Sequence, residues 1–181
     1  MIKLKQIIYL IRRFLLKRTE EGKIKILREM GCKVGDRCRF NCDLYFVGTE
    51  PYLVEIGENC LFASGCHLMN HDGGVKVLNA LNYFGDGKRY DKMGRIKIGN
   101  NVYVGMNSII LGNVSVGDNV IIGANSIVTK NIPSNSVAVG IPAKVISTID
   151  EYYHKNLDRG NFYAIRPDKR EYLIKNVKKL K

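Results

Sequence analysis

Aliphatic residues recur at every sixth position through residues 96–130 of the chain. Side chains of an α-helix advance by about 100° per residue, so a step of six spreads them over three faces and makes no apolar stripe. Side chains of a strand alternate, and an even interval returns to the same face. The period therefore predicts extended chain, and a segment this long must turn at each repeat. The repeated positions are Ile98, Val104, Ile110, Val116, Ile122 and Val128.

Small and turn-forming residues fill the positions between these anchors. Glycine directly follows four of the six anchors, with asparagine or aspartate close by, and these residue types adopt the backbone angles of tight corners. The fourth residue after each anchor is small or β-branched, which suits a narrow pleated interior. Those inward positions are Val102, Ser108, Val114, Val120, Ser126 and Ile132. Stacked coils of this kind bury a core that no single repeat can bury, so the predicted fold class is an all-β solenoid.

The period extends upstream and is interrupted twice. A short break at residues 47–55 predicts an outward turn, and a long aperiodic stretch at residues 71–95 predicts an excursion loop. Long loops of a compact solenoid are usually functional, and aromatic residues in this one indicate that it docks rather than moves freely. The upstream anchors are Val34, Phe40, Phe46, Ile56, Phe62 and Leu68, and the loop aromatics are Tyr83, Phe84 and Tyr90.

Helical segments flank the solenoid. Apolar residues among positions 7–15 form one broad stripe, with Arg and Lys opposite, so residues 1–30 are predicted to be an N-terminal helical cap. The solenoid domain is assigned to residues 31–147. Residues 148–181 are predicted to be a C-terminal helical extension, with helices at 149–157 and 168–180.

Composition restricts the partners that this chain is expected to have. The net charge is +12, and much of the excess lies at the two ends of the chain. No RNP motif, recognition helix or zinc knuckle accompanies it, which argues against nucleic acid. Solvated helical faces are the favoured interpretation of the basic ends, and contact with an anionic membrane surface is the alternative.

Cysteine usage and apolar run lengths restrict the expected compartment. The five cysteines form no CxxC pair, no apolar run reaches the length of a membrane span, and no signal-peptide cleavage site follows the N-terminal apolar residues. Reduced core cysteines and a cytoplasmic location are therefore expected, either in solution or at the inner face of the membrane.

One of the three histidines stands where chemistry is expected. His67 lies inside a predicted coil, and His154 lies in the predicted C-terminal helix. His71 opens the excursion loop in the sequence MNHDGG, directly after a coil. An imidazole titrating near neutrality can accept the proton of a hydroxyl group, so the loop mouth is the candidate active site.

The period, the glycine corners and the small inward residues resemble the hexapeptide-repeat acyltransferases over roughly residues 31–147. This resemblance implies a left-handed parallel β-helix, a homotrimer, acetyl-CoA as co-substrate and no required metal. The stretch NCLFASGCHLMNHDG is similar to that of sugar and polysaccharide O-acetyltransferases. It implies that His71 is the general base toward a hydroxyl of a sugar or surface polysaccharide (capsule, exopolysaccharide or lipopolysaccharide). Asp72 is the candidate for orienting the imidazole, and Asn70 is a candidate oxyanion donor.

The same resemblance implies where the donor binds. In this family, coenzyme A lies along the coil edges between subunits, near the glycine-containing corners. The matching corner residues here are Gly105, Met106 and Ala124. The motifs SIVTKNIP and GIPAKVI add Thr129, Lys130 and Lys144, and the two lysines could balance the phosphates of coenzyme A. Tyr103 stands where many relatives carry tryptophan.

Four other functions fit this fold, and the sequence favours them less. Zinc carbonic anhydrases need three His ligands, and here one of only three His lies in the C-terminal helix. Serine acetyltransferases carry a large helical N-terminal domain, for which 30 residues are too few. A non-catalytic scaffold has little need of a His at a loop mouth together with the TK and GIPAK motifs. Antibiotic (streptogramin-type) or small-molecule acetyltransferases share the fold and the His, and are the alternative to a sugar acceptor.

Overall fold

The computed structural model of the chain describes residues 15–177. Most of its strands have only two or three residues, as expected for sides of a coil that turns every six residues. The strands are β1 Lys33–Val34, β2 Arg39–Phe40, β3 Val54–Ile56, β4 Leu61–Phe62, β5 His67–Met69, β6 Ile96–Ile98, β7 Val102–Val104, β8 Ile109–Leu111, β9 Val114–Val116, β10 Val120–Ile122, β11 Ile127–Val128, β12 Ser136–Gly140 and β13 Ala143–Thr148. The helices are α1 Glu20–Glu29, α2 Val75–Ala80, α3 Ile149–Asp158 and α4 Lys169–Asn176.

From β3 to β11, any three consecutive strands lie in three different sheets, and these sheets form the three sides of a prism. The sheet orders are β1-β3-β6-β9, β2-β4-β7-β10-β12-β13 and β5-β8-β11. Neighbouring strands pair in parallel except for β12 with β13. Within the uninterrupted ladder, the pairing joins anchors three hexapeptides apart, as in Ile98 with Val116 and Ile110 with Val128. The predicted left-handed parallel β-helix is therefore confirmed.

Residues predicted to point inward are buried. All twelve anchors and all six of the inward positions between them are among the buried residues. Near the N-terminal end Phe46 and Phe62 pack with ring centroids 5.0 Å apart. The buried hydroxyl groups of the two inward serines are hydrogen-bonded. Ser108 Oγ donates to the carbonyl of Gly123 at 2.8 Å, and Ser126 Oγ accepts from the amide of Gly140 at 3.1 Å.

A ladder of asparagine side chains joins one corner of successive coils. Asn59, Asn101, Asn119 and Asn135 all have φ near +55° to +59°, a left-handed conformation that asparagine tolerates better than other side-chain-bearing residues. Each Nδ2 donates to the Oδ1 of the next asparagine at 2.9 Å, from Asn59 through to Asn135. The Asn-rich corners are thus hydrogen-bonded rungs as well as turns.

Side chains of α1 complete the open edge of the first coil. Thr19 caps the helix by accepting from the amide of Gly22 at 3.0 Å. Glu20 accepts from the amide of Phe40 at 2.8 Å, and Lys23 donates to the carbonyl of the same residue at 2.7 Å. Backbone groups that would otherwise pair with another strand are therefore occupied. Residues 1–14 of the predicted cap lie outside the described residues.

Both breaks of the period contain helix. The first break, which we call the bulge, contains the end of a 3₁₀ helix at Leu44–Val47 and a second 3₁₀ helix at Pro51–Leu53, and its last two residues belong to β3. The excursion loop contains α2, which its composition did not indicate.

At the far end, β13 pairs antiparallel to β12 and closes the sheet. The helix predicted at 149–157 is present as α3, where Thr148 and Glu151 form a capping box. No helix among residues 15–177 is long and apolar enough to cross a membrane.

We predict that Asn119→Ala lowers the free energy of unfolding by about 2–4 kcal/mol. The substitution removes two rung hydrogen bonds and forces a Cβ-bearing residue without a side-chain acceptor into φ near +55°. Denaturant unfolding at one fixed protein concentration measures the change. Asn119→Gly is the matched control, because it loses the same bonds without the steric cost, and it should lose less stability. An unaltered midpoint for Asn119→Ala would contradict this account of the ladder.

Candidate active site

The two ends of the excursion loop meet as a short antiparallel stem. The carbonyl of Asn70 accepts from the amide of Gly94 at 2.8 Å, and the amide of Asp72 donates to the carbonyl of Lys92 at 2.8 Å. Between these bonds, His71 forms an antiparallel bridge with Met93. The loop leaves after β5 and returns before β6, so the stem forms where the coil resumes. His71 is consequently held by main-chain bonds on both sides.

A cavity of about 300 Å³ opens beside His71. The imidazole is partly exposed, with 35% of the side-chain surface accessible. Loop entry, loop return and the neighbouring coil each supply part of the wall, and the exposed lining is mostly apolar. The lining residues are Met69, Asn70, His71, Asp72, Lys92, Met93, Gly94, Leu111, Gly112 and Asn113. The position of His71 therefore suits a base that reaches a bound molecule.

The carboxylate nearest to the imidazole among the described residues belongs to Asp91. Its Oδ1 lies 3.8 Å from Nε2 of His71, within reach of electrostatic stabilisation of an imidazolium ion. Asp72, which adjacency in sequence suggested, is engaged elsewhere. Its carboxylate binds Nζ of Lys92 at 2.7 Å and the amide of Gly74 at 2.9 Å. These contacts, led by the hydrogen bond from Lys92, hold the pKa of Asp72 below its usual range.

Asn70 is placed differently from an oxyanion donor. Its side chain is buried, and Nδ2 donates to the carbonyls of Val47 at 3.1 Å and Glu50 at 2.6 Å. Both N–H groups of the amide are thereby used within the protein. The expectation that Asn70 donates to an oxyanion is corrected on this geometry.

Hydrogen bonds within the excursion loop give it a fixed shape. Asn79 donates to the carbonyl of Tyr90 at 2.8 Å and accepts from its amide at 3.0 Å. The rings of Phe84 and Tyr90 pack with centroids 4.3 Å apart, while Tyr83 is 72% exposed. The loop is therefore organised from within.

Residues expected to bind the donor lie outside the His71 cavity. Gly105 is buried, and a Cβ there would lie 2.5 Å from the amide nitrogen of Ala124, so these corners of successive coils stack closely. Met106 and Ala124 are exposed at those corners. Thr129, Lys130 and Lys144 are exposed as well, and within residues 15–177 neither lysine forms an ion pair. The corner surface is thus free to contact a ligand.

The other histidines have other surroundings. His67 is exposed on the β5-β8-β11 face, paired in register with Ile109, and His154 packs edge-on against the ring of Tyr153. In the part of the chain that the structure covers, no three His, Cys, Asp or Glu side chains are grouped to hold a metal ion. The five cysteines are free thiols, four of them buried, and burial raises the pKa of Cys32 to about 12.

Asp91, Lys92 and Met93 are site residues that sequence reasoning did not identify. They follow His71 by twenty residues or more and adjoin it only because the loop returns beside its own start. The even period resuming at Ile96 was the available signal, since it places the preceding residues next to the loop entry.

Comparison with known proteins identifies the family. The family described as "Bacterial transferase hexapeptide (six repeats)" matches residues 95–130. Protein CapG of Staphylococcus aureus is 44% identical over 153 residues, covering 82% of this chain and 83% of the relative.

Two solved structures share the fold. The hexapeptide-repeat acetyltransferase VCA0836 of Vibrio cholerae has a TM-score of 0.52 at 16% identity, covering 76% of this chain and 86% of that chain. A galactoside acetyltransferase in complex with coenzyme A has a TM-score of 0.53 at 24% identity, covering 87% of this chain and 83% of that chain. The chain belongs to the hexapeptide-repeat transferases, together with Protein CapG, and is an acyltransferase of that family.

Proposed function

We propose that this protein transfers the acetyl group of acetyl-CoA to a hydroxyl of a sugar or polysaccharide, with His71 as the general base. The observation that carries the proposal is the fixed placement of His71 on the loop stem, facing a cavity with one free carboxylate nearby. The galactoside acetyltransferase that shares the fold was solved with coenzyme A, which supports this donor and acceptor class.

The proposed reaction uses the imidazole twice. Nε2 of His71 accepts the proton of the acceptor hydroxyl while that oxygen attacks the thioester carbonyl carbon. The resulting tetrahedral oxyanion collapses, the carbon–sulfur bond breaks, and the imidazolium returns its proton to the departing thiolate of coenzyme A. Asp91, 3.8 Å away, stabilises the imidazolium formed between the two steps. Asp72 keeps its proposed orienting role only if it releases Lys92.

We predict that His71→Ala lowers turnover by about 10²–10⁴-fold, the usual contribution of a positioned general base. The measurement is release of the coenzyme A thiol from acetyl-CoA in the presence of a panel of sugars, sugar nucleotides, oligosaccharides and streptogramin-type antibiotics. The panel also tests the small-molecule alternative. A scaffold without catalytic activity would release thiol with none of these acceptors.

His67→Ala is the matched control, because it removes the same residue type from an exposed position on β5, four residues earlier. It should retain turnover on the acceptor found for the wild type. Turnover by Asp91→Asn and by Asp72→Asn then shows which carboxylate contributes more to the reaction. We expect the larger loss of turnover for Asp91→Asn. Full turnover by the His71→Ala variant would contradict the proposed mechanism.

We predict that Lys130→Ala and Lys144→Ala each weaken acetyl-CoA binding by about 1–2 kcal/mol, the scale of a charge-assisted contact to phosphate. Both ammonium groups are exposed, without a carboxylate partner among the described residues, and β11 contacts β13. Isothermal titration calorimetry measures the affinity. Lys155→Ala on α3 is the control and should bind normally. Equal affinity in all three variants would place the donor elsewhere.

We predict a homotrimer, built by repeating one heterologous contact around a threefold axis. Two of the three solenoid faces carry partly exposed apolar rows, such as Leu61, Tyr103 and Ile121 on one face, whereas the third carries Lys33, Glu55 and Lys97. Light scattering at micromolar concentration measures the mass. A stable monomer in the presence of acetyl-CoA would contradict a donor site shared between subunits.

We further propose that the enzyme works in the cytoplasm. Five free thiols and a proposed acetyl-CoA co-substrate fit a reducing compartment. The proposed membrane-surface contact through the basic ends concerns mainly residues 1–14 and 178–181, which lie outside the described residues.

A further inference from the structure

The side chain of Asn70, the residue directly before His71, is hydrogen-bonded to a different coil of the solenoid. Its Nδ2 donates to the carbonyls of Val47 and Glu50, which lie in the bulge between the first two turns of the period. These bonds are 3.1 Å and 2.6 Å long and span 23 and 20 residues of sequence, respectively. The side chain is therefore a bridge between the bulge and the entry of the excursion loop.

The main chain of Asn70 makes a separate hydrogen bond, to the returning end of the excursion loop. Its carbonyl accepts from the amide of Gly94 at 2.8 Å, and this bond is the core-side end of the loop stem. His71 follows immediately. Because side chain and main chain of Asn70 are both held, the peptide plane that leads into His71 has a defined orientation.

The bulge is shaped around the amide. Gly48 has φ +78°, and a Cβ on it would lie 2.4 Å from Oδ1 of Asn70. Glycine is therefore required at position 48 both by the positive φ and by the lack of space for a Cβ atom. The close approach shows that residues 47–50 wrap around the head of the Asn70 side chain.

The amide of Asn70 is bonded through its nitrogen and not through its oxygen. Oδ1 of Asn70 is buried and has no hydrogen-bond partner among the described residues. Both Nδ2 bonds end on main-chain carbonyls, so truncation of the side chain would leave these two acceptors without their partner, at a cost in stability. The two Nδ2 bonds also supply a fixed position for the loop entry.

We propose that Asn70 is the positioning residue of His71. Its side chain is buried and both of its N–H groups are bonded within the protein, and it sets the direction from which the imidazole enters the cavity. The proposal rests on the proposed role of His71 as base. A misplacement of about 1 Å in a reacting group can cost about 10²-fold in rate, so loss of this bridge should reduce turnover.

The test compares Asn70, directly before the excursion loop, with an asparagine inside the loop. Asn70→Ala should lower kcat about 10–100-fold at saturating acetyl-CoA, measured at a temperature where the variant is folded, while KM for acetyl-CoA changes little. Asn79→Ala is the matched control, because Asn79 also makes two side-chain bonds to main chain, with Tyr90, far along the loop. It should keep the wild-type kcat.

A second variant approaches the same contact from the other side. Gly48→Ala should lower kcat in the same way, and its effect should not add to that of Asn70→Ala if both act through one bridge. It also tests the bridge if Asn70→Ala fails to fold.

Each outcome separates this proposal from the one that it rests on. An active His71→Ala overturns the proposed mechanism. An inactive His71→Ala combined with an Asn70→Ala enzyme whose kcat equals that of Asn79→Ala overturns the positioning role alone. A rise in KM for acetyl-CoA at constant kcat also overturns it, because the bridge would then serve the donor.

Discussion

Parallel stacking of the coils at about 4.8 Å is the constraint on which the rest of the molecule depends. The short strands of each coil find most of their backbone partners in the coils above and below, so the chain has little freedom in register. A segment that leaves the solenoid must return where the register resumes. The excursion loop obeys this rule, because it leaves after β5 and rejoins at β6.

Because of this rule, the long insertion begins and ends at the same place, and its two ends pair with each other at the candidate site. Entry and return of the loop pair for three residues, and His71 lies in the middle of this stem. Charges beside it are ordered too, since Lys92 neutralises Asp72 and leaves Asp91 as the carboxylate facing the imidazole. The solenoid thus holds the two ends of the loop in place, and the loop supplies His71 and half of the residues that line the cavity.

The sequence predicted the solenoid because period and burial are directly linked in extended chain. An even interval returns to one face, and the predicted inward residues are buried, from Val34 to Ile132. The short α2 was not predicted, since its six residues depend on burying Val75 against the fold. The antiparallel pairing of β12 with β13 could not be predicted either, because the six-residue period ends before these strands.

The site was predicted in part. His71 could be selected because it opens the loop, but its partners could not, because they are set by where the loop returns. Asp72 was chosen by adjacency, yet neighbouring side chains of an extended segment point to opposite sides, and here Asp72 binds Lys92. Asn70 was assigned a donor role because the sequence carries no sign of the bulge carbonyls that occupy its N–H groups.

A crystal structure with coenzyme A and an acceptor sugar bound tests the central claim most directly. The account predicts that the thiol end of the cofactor enters the cavity lined by His71 and Met93, with an acceptor hydroxyl within hydrogen-bond distance of Nε2. An ordered complex in which the thiol and the acceptor lie on a surface away from His71 would contradict it.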